Sequence, residues 1–313
     1  MIGSSIEDAV RLLLAGEVVA FPTETVYGLG ALALDPKAVA RIFDIKSRPR
    51  FDPLIVHVAT AREAWGLCSR RSVVAQQLAE SFWPGPLTIV LPKAPIVPDI
   101  VTAGLDSVAL RVPAHPMARA LLERLGAPLA APSANRFGRV SPTRAQHVDH
   151  DLGEGVPLIL DGGPCQKGLE STVLSLLGDR PLLLRPGATP REDIEAVIGP
   201  IEVDSGHGAP SISPGQLDSH YAPRTPMRPL EPESLPTEVE RVGLLALRPT
   251  RSDGYAAVEV LSQTGDLLEA AAHLFAALRN LDELKLDRIV CELAPARGIG
   301  VAINDRLLRG CQG

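Results

Sequence analysis

The chain has 313 residues, 45% of them hydrophobic and 22% charged, with a mean hydropathy of +0.13; this ordinary globular composition excludes disordered, collagen-like and coiled-coil architectures. At about 150 residues per domain, the length implies two domains, each able to bury a core. A formal charge of −6 supplies no overall basic field for a nucleic acid, so any polyanion must meet a local cluster. Of the 31 basic residues only five are Lys, which leaves mostly planar guanidinium forks suited to phosphate and carboxylate. Cys68, Cys165, Cys291 and Cys311 form no CxxC pair, so neither a zinc ribbon nor a disulfide framework is indicated. No apolar run reaches about 18 residues and the N-terminus lacks a basic-then-apolar leader. The expectation is a cytoplasmic protein without a membrane segment.

In chain order, Ser4 and Glu7 read as a capping box ahead of Ile6, Val10, Leu13 and Leu14, an amphipathic helix that Gly16 ends. A buried strand at 18–21 runs into Pro22-Thr23-Glu24-Thr25, four residues that neither period explains. Asp35 and Pro36 start a second helix that ends near Lys46. A strand follows at 54–58, and Thr60 with Glu63 caps a third helix. Strand patterns recur at 87–91, 108–112, 128–131, 158–160, 172–176 and 182–184, with a clear helix at 116–125 and a closing one over 189–198. Some strands are joined by helices and others by turns alone. This predicts an α/β fold with a twisted, open, mixed sheet over 1–200. Residues 201–236 are rich in Pro, Gly and Ser and read as a linker. Strands at 242–247, 257–261 and 288–293, with helices at 266–280 and 301–309, predict a second, smaller α/β domain over 237–313.

Several constellations could carry chemistry. Lys46-Ser47-Arg48 stands at a helix end and leads through Asp52 to the strand bearing His57. Two cations at an exposed corner can converge on one phosphate, although cations also serve a helix C-terminus through its dipole alone. Ala131-Pro132-Ser133-Ala134-Asn135 leaves a strand and enters Ser141-Pro142-Thr143, the kind of place where α/β proteins hold ligands; a plain turn fits equally well. Arg111 and Arg185 interrupt apolar strands near their ends, and Ser107 and Ser171 stand beside strands. Repeated Arg and Ser at strand ends favour an anionic ligand. His147 and His150 share a helix face without a third ligand, and neither a Gly-x-Ser-x-Gly elbow nor a P-loop is present.

Taken together, Phe21-Pro22-Thr23-Glu24-Thr25-Val26-Tyr27-Gly28-Leu29-Gly30, the Lys46-Ser47-Arg48-Pro49 corner with Pro53-Leu54-Ile55-Val56-His57, and Pro132-Ser133-Ala134-Asn135 with Ser141-Pro142-Thr143 resemble the YrdC-type catalytic domain of L-threonylcarbamoyladenylate synthases. Ser213-Pro214-Gly215, His220-Tyr221-Ala222-Pro223 and the stretch Gly300-Val301-Ala302-Ile303-Asn304-Asp305-Arg306-Leu307 resemble the two-domain form of that family. The resemblance implies a YrdC-like sheet around a cationic cleft, a Rossmann-like C-terminal domain and a linker closing over the site. It implies formation of threonylcarbamoyl-AMP and pyrophosphate from L-threonine, bicarbonate or CO2, and ATP with Mg2+. The product would pass to a tRNA-modifying threonylcarbamoyl transferase complex, with tRNA contact by this chain open. Carried over residue by residue, threonine recognition falls to Thr25, His57, Arg111, Ser171 and the Ala131 backbone. ATP contacts fall to Arg48, Asp52, Ser107, Ser133, Asn135, Ser141, Arg185 and Tyr221, with Lys46 and Arg48 as the catalytic cations and His57 either orienting threonine or acting as a base. One departure is Gln216-Leu217-Asp218-Ser219, where the family carries bulkier or more basic residues.

Two other readings compete. A non-catalytic RNA-binding module is disfavoured by the net charge and by 4% aromatics, which leave few stacking platforms. A carbamoyl-phosphate-dependent relative would bring zinc fingers, and the cysteine spacing supplies none.

Overall fold

The computed structural model describes residues 1–49, 51–204, 221–231, 236, 240–249 and 253–312. The first unit runs β1 (Ile2–Gly3), α1 (Ile6–Leu14), β2 (Val19–Phe21), β3 (Gly28–Leu32), α2 (Pro36–Lys46), β4 (Ile55–His57), α3 (Ala61–Gly66), α4 (Val73–Phe82), β5 (Leu87–Pro92), α5 (Asp99–Thr102) and β6 (Ser107–Arg111). It continues through α6 (Pro116–Leu125), β7 (Leu129–Ala130), α7 (Ala145–Leu152), β8 (Leu158–Leu160), β9 (Thr172–Ser175), β10 (Leu182–Arg185), α8 (Arg191–Ile198) and β11 (Glu202–Val203). The second unit comprises β12 (Met227–Pro229), β13 (Val242–Ala246), β14 (Ala257–Val260), α9 (Leu267–Asp282), β15 (Arg288–Cys291) and α10 (Ile299–Gly310).

The large sheet has the order β1-β8-β2-β3-β7-β4-β6-β5-β9-β10-β11 and mixes parallel pairs such as β4 with β6 and antiparallel pairs such as β5 with β6. This is the open mixed sheet that the alternation of helices and bare turns predicts. The small sheet, β12-β15-β13-β14, is parallel throughout, with α9 and α10 supplying its main core through Leu274, Phe275, Leu278, Ile303 and Leu307.

Local chemistry explains most boundaries. Asp35 accepts from Lys37 N and Ala38 N, Pro36 opens α2, and Ser47 ends it in the left-handed region at φ 51°. That turn curls Arg48 back toward the sheet. Thr60 caps α3 by accepting from Glu63 N, while Glu63 reaches back to accept from Ala59 N, one residue before the cap N–H that a strict capping box uses. The cap of α1 is Ser5, accepting from Asp8 N, one residue beyond the expected pair. Helix α4 carries a weaker signal: Ser72 accepts from Ala75 N, with no Glu or Gln at that position to complete a box. Strand β3 contains Gly28 and Gly30, poor strand formers, and exists because β2 and β7 pair with it on either side. The stretch expected to be linker contributes β12, an edge strand beside β15.

The two units meet along a shared seam. Val26, Val140 and Leu169 of the first join Tyr221, Phe275 and the inner faces of α9 and α10 in one apolar cluster. Gly168, at φ 65°, lies so close to α9 that a Cβ would stand 2.4 Å from Ala271 O, a contact only glycine permits. Arg279 of α9 grips both carboxylate oxygens of Asp151 at 3.1 and 2.6 Å.

Candidate active site

One pocket opens where the ends of seven strands come together. The β2–β3 connection contributes Thr23, Thr25, Val26 and Gly28. On β4, Ile55 and His57 point to the same face because side chains alternate along a strand, and Arg111 is the register partner of His57 on β6. Ala131, Pro132 and Ser133 follow β7, Glu170 and Ser171 precede β9, Arg185 closes β10, and Arg48 and Tyr221 complete the lining. The antiparallel pairing of β9 and β10 brings Arg185 opposite Val173 and hence beside Ser171.

Three guanidinium groups from distant segments therefore face one hollow. Arg48, Arg111 and Arg185 are all buried, and each is anchored from behind. Arg48 Nη2 lies 2.8 Å from Asp52 Oδ2, close but not aligned as a hydrogen bond, and it donates to Pro53 O at 3.0 Å. Arg185 donates to Ser171 O and Ser171 Oγ. Burial, with Arg48 and Arg185 repelling one another, pushes the Arg48 guanidinium below its ordinary value. Burial raises the Asp52 carboxyl above its usual range despite the neighbouring Arg48 charge.

Lys46 is not at an exposed corner. It is 2% exposed, and its Nζ donates to Ser133 O at 2.6 Å and to Asn135 O. The left-handed turn at Ser47 folds the helix end under the strand-end loop, where two backbone carbonyls replace solvent. Burial, followed by repulsion from Arg48, drives the Lys46 ammonium well below its normal range. Lys46 thus braces the wall that carries Ser133, while Arg48, also buried rather than exposed, lines the pocket itself.

His57 is buried edge-on to Phe21, with ring centroids 6.0 Å apart. Burial and the Arg111 charge push its pKa down to about 3, so it is neutral at physiological pH. Its Nδ1 has no hydrogen-bond partner among the described residues. The hydroxyl of Thr25 has a defined polarity. Thr23 Oγ1 spends its single proton on Val26 O, so in the 2.8 Å contact between the two threonines Thr25 must donate. Thr25 Oγ1 also accepts from Arg111 Nη1 at 3.0 Å. What remains at Thr25 is a lone pair, which can accept an N–H or O–H.

Nine of the expected site residues line this pocket: Thr25, Arg48, His57, Arg111, Ala131, Ser133, Ser171, Arg185 and Tyr221. Lys46, Asp52, Asn135 and Ser141 stand behind the wall as partners of lining groups or of the wall backbone. Asn135 Nδ2 donates to Arg136 O and Arg139 O, holding the loop, and Ser141 Oγ donates to Glu170 Oε1 at 2.5 Å. Ser107 lies apart, at the opposite end of β6 and paired with Pro92, about 13 Å from Arg111 at strand rise. Tyr221 is 1% exposed, stacks on Phe275 at 5.8 Å and lies under the Arg306 guanidinium at 5.0 Å. The motif elements at 213–220 and the departure at 216–219 lie outside the described residues.

Two carboxylates and one arginine bear on the site beyond the residues to which the resemblance gives a role. Glu24, within the unexplained 22–25 stretch, pairs with Arg111 Nη2 at 2.6 Å. Glu170 lines the pocket and pairs with Arg306 Nε at 2.8 Å. Burial opposes ionisation of Glu170, but the charges of Arg306 and Arg185 outweigh it and hold the carboxyl below its usual range. Arg306 is fully buried and arrives from the second unit. Its signal was legible: it sits on the apolar stripe of α10, between Ala302, Ile303, Leu307 and Gly310, where a charge needs a partner.

Comparisons with known proteins match the chain through both units. A family model covering Sua5, YciO and YrdC proteins and described as Telomere recombination matches residues 11–187. A second, described as Threonylcarbamoyl-AMP synthase, C-terminal domain, matches residues 189–311. The threonylcarbamoyl-AMP synthase of Bacillus subtilis is 46% identical over 98% of this chain and 93% of its own length. That of Schizosaccharomyces pombe is 36% identical over 97% and 87%. The crystal structure of P. abyssi Sua5 complexed with L-threonine superposes with a TM-score of 0.93 at 39% identity, covering 100% of this chain and 98% of that one. Matched through both units, the chain belongs to the Sua5/YciO/YrdC family, in its two-domain threonylcarbamoyl-AMP synthase form.

Proposed function

We propose that this chain is an L-threonylcarbamoyladenylate synthase that forms threonylcarbamoyl-AMP and pyrophosphate from L-threonine, bicarbonate or CO2, and ATP. The observation that carries the reading is the convergence of Arg48, Arg111 and Arg185 on one pocket that also holds a neutral histidine and a hydroxyl acceptor. In this reading Arg111 takes the threonine carboxylate, Thr25 accepts from its hydroxyl or amine, and His57, Ser171 and the Ala131 backbone complete its cradle. Arg48, Ser133, Arg185 and Tyr221 line the ATP end, with Lys46, Asp52, Asn135 and Ser141 supporting that wall; the assignment of Ser107 to ATP finds no support in its position.

The chemistry needs no covalent enzyme intermediate. The threonine amine attacks the carbon of CO2, opening one C=O π bond and losing a proton to solvent, to give a carbamate; from bicarbonate the same carbamate forms with a C–O bond broken and water lost. A carbamate oxygen then attacks the α-phosphorus, the bond to the bridging oxygen breaks, and pyrophosphate leaves with the electron pair. A carbamate is a weak nucleophile, so rate comes from alignment and from fixed positive charge around the phosphates. Neutral His57 orients substrate and supplies no positive charge.

Mg2+ enters as the counter-ion of ATP. Among the described residues the one carboxylate lining the pocket, Glu170, is engaged by Arg306 and Ser141, so the described lining does not provide a protein cage for the ion and no step is assigned to it. Tyr221, buried against the pocket, covers this end of the site and shields the labile adenylate from water. The product passes to a tRNA-modifying transferase complex in the cytoplasm. No helix among the described residues is long and apolar enough to cross a membrane.

Product analysis with labelled bicarbonate, ATP and L-threonine tests the proposal. Label is expected in an adenylate, with pyrophosphate release dependent on all three substrates. ATP turnover indifferent to threonine or bicarbonate would refute it.

A further inference from the structure

Glu24 is a buried carboxylate outside the pocket lining, one of the four residues that neither helical nor strand periodicity explains. Its two oxygens have separate duties. Oε1 accepts from Arg111 Nη2 at 2.6 Å and Oε2 accepts from Ala114 N at 3.0 Å. On its other edges Arg111 donates from Nε to Gly85 O at 3.2 Å and from Nη1 to Thr25 Oγ1 at 3.0 Å. A guanidinium has five N–H groups, so these contacts hold the fork at three points and leave two N–H bonds for a ligand. Burial alone would raise the Glu24 carboxyl, but the charge and hydrogen bond of Arg111 outweigh it and hold it below the usual range.

We infer that Glu24 is a positioning residue that fixes the Arg111 fork for a carboxylate ligand, and so sets the preference of the amino-acid subsite for a free α-carboxylate over a neutral α-substituent. The inference rests on the assignment of Arg111 to the threonine carboxylate. Its physical content is that a flexible arginine facing a pocket has several rotamers, and a bidentate contact is strong only when the plane is set beforehand. The Glu24 charge also neutralises Arg111 in the empty pocket. Arg111 thereby escapes the cost of an unpaired buried cation while still lining the pocket with two N–H bonds unspent on the described residues.

Glu24→Gln keeps the size and removes the charge. An amide accepts at one end only, whereas Arg111 and Ala114 both donate to this side chain, so one contact is lost and the tether on Arg111 loosens. The experiment is calorimetric titration of the full chain with L-threonine and with L-threoninamide, whose carboxylate is replaced by a neutral amide, beside steady-state pyrophosphate release. Glu24→Gln is expected to weaken threonine binding roughly tenfold, the loss of one charge-assisted contact. Threoninamide binding and the KM for ATP should change less than about twofold, so the change falls on threonine KM rather than kcat. A merely structural role would weaken both ligands and both substrates alike, and that outcome would overturn the inference.

Arg111→Lys separates the inference from the assignment beneath it. If Arg111→Lys abolishes the preference for threonine over threoninamide while Glu24→Gln leaves it intact, Arg111 keeps its role and Glu24 has none. Should Arg111→Lys retain the preference, the carboxylate assignment fails and the inference with it. Glu24→Asp, which keeps the charge but shortens the reach, gives the same readout if Glu24→Gln does not fold: reduced discrimination supports the tether, and unchanged discrimination refutes it.

Discussion

At the scale of the residue, burial changes what the site's ionisable groups can do. Lys46→Ala removes the donor from two backbone carbonyls under the Ser133 wall. It should therefore cost about 1–3 kcal/mol of stability as well as adenylate synthesis, seen as a lower Tm alongside lost pyrophosphate release. An activity loss without any thermal shift would return Lys46 to the role of a free phosphate-binding cation. His57 makes a second prediction. Its folded value of about 3 lies below the unfolded 6.5, so the folded state binds fewer protons. Stability is full above about pH 6.5 and falls as acid protonates the unfolded chain between pH 6.5 and 3. Urea titrations across that range should show His57→Asn flattening the decline. Since His57 stays neutral down to about pH 3, kcat/KM should show no inflection near pH 6.5 that disappears in His57→Asn. The chemistry-bearing types were legible at this scale, because arginine and serine recur together at several strand ends, a repetition that favours an anionic ligand. Their exposure was not legible: Lys46 and Arg48 read as a surface corner because nothing local in Lys46-Ser47-Arg48 says that Ser133 and Asn135, more than eighty positions away, supply the acceptors.

Individual elements owe their form to both local and distant causes. Helices α2, α3 and α6 announce themselves through Asp35-Pro36, the Thr60 and Glu63 box and Pro116, and these are the elements whose starts the sequence places best. Strand β3 and edge strand β12 lack such marks. Glycines fill the first, a Pro-rich stretch surrounds the second, and pairing alone defines them. The turn Arg185-Pro186-Gly187 shows how closely an element can be packed at the site. A Cβ on Gly187 would stand 2.4 Å from Thr172 N and 2.5 Å from Glu170 O. Gly187→Ala should therefore destabilise the protein by about 1–3 kcal/mol and displace Arg185 from Ser171. The expected result is a lowered Tm and a raised KM for ATP with threonine binding largely kept; a melting curve identical to wild type would contradict it.

Across the whole molecule, the second unit is part of the site. Arg306 bonds Glu170, reaches Pro186 O at 2.9 Å and covers Tyr221. It therefore fixes both the carboxylate in the pocket wall and the described end of the linker. Arg306→Met should leave Glu170 buried without its counter-charge, costing about 3–5 kcal/mol. Glu170, held below its usual range by Arg306 and Arg185, contributes stability that is full above the ordinary carboxylate range and lost as pH falls through its folded value. Without Arg306 that contribution shrinks, so the destabilisation should be largest near neutral pH and smaller in acid, where Glu170 is protonated. Thermal melts at several pH values check both the size and the direction. A substitution that leaves stability and ATP binding unchanged would show that the seam is only a spacer.

The sequence by itself determined the class of fold, the division into a larger and a smaller α/β unit, the family, and the residue types of the site, because capping, alternation and short motifs are local properties. Tertiary structure decided which cations face the pocket and which brace it, the hydrogen-bond polarity of Thr25, the neutral state of His57, and the partnerships of Glu24 and Arg306. Those features depend on which distant groups share a buried volume, and burial sets the energy of a charge or an unpaired donor far more strongly than its neighbours along the chain do.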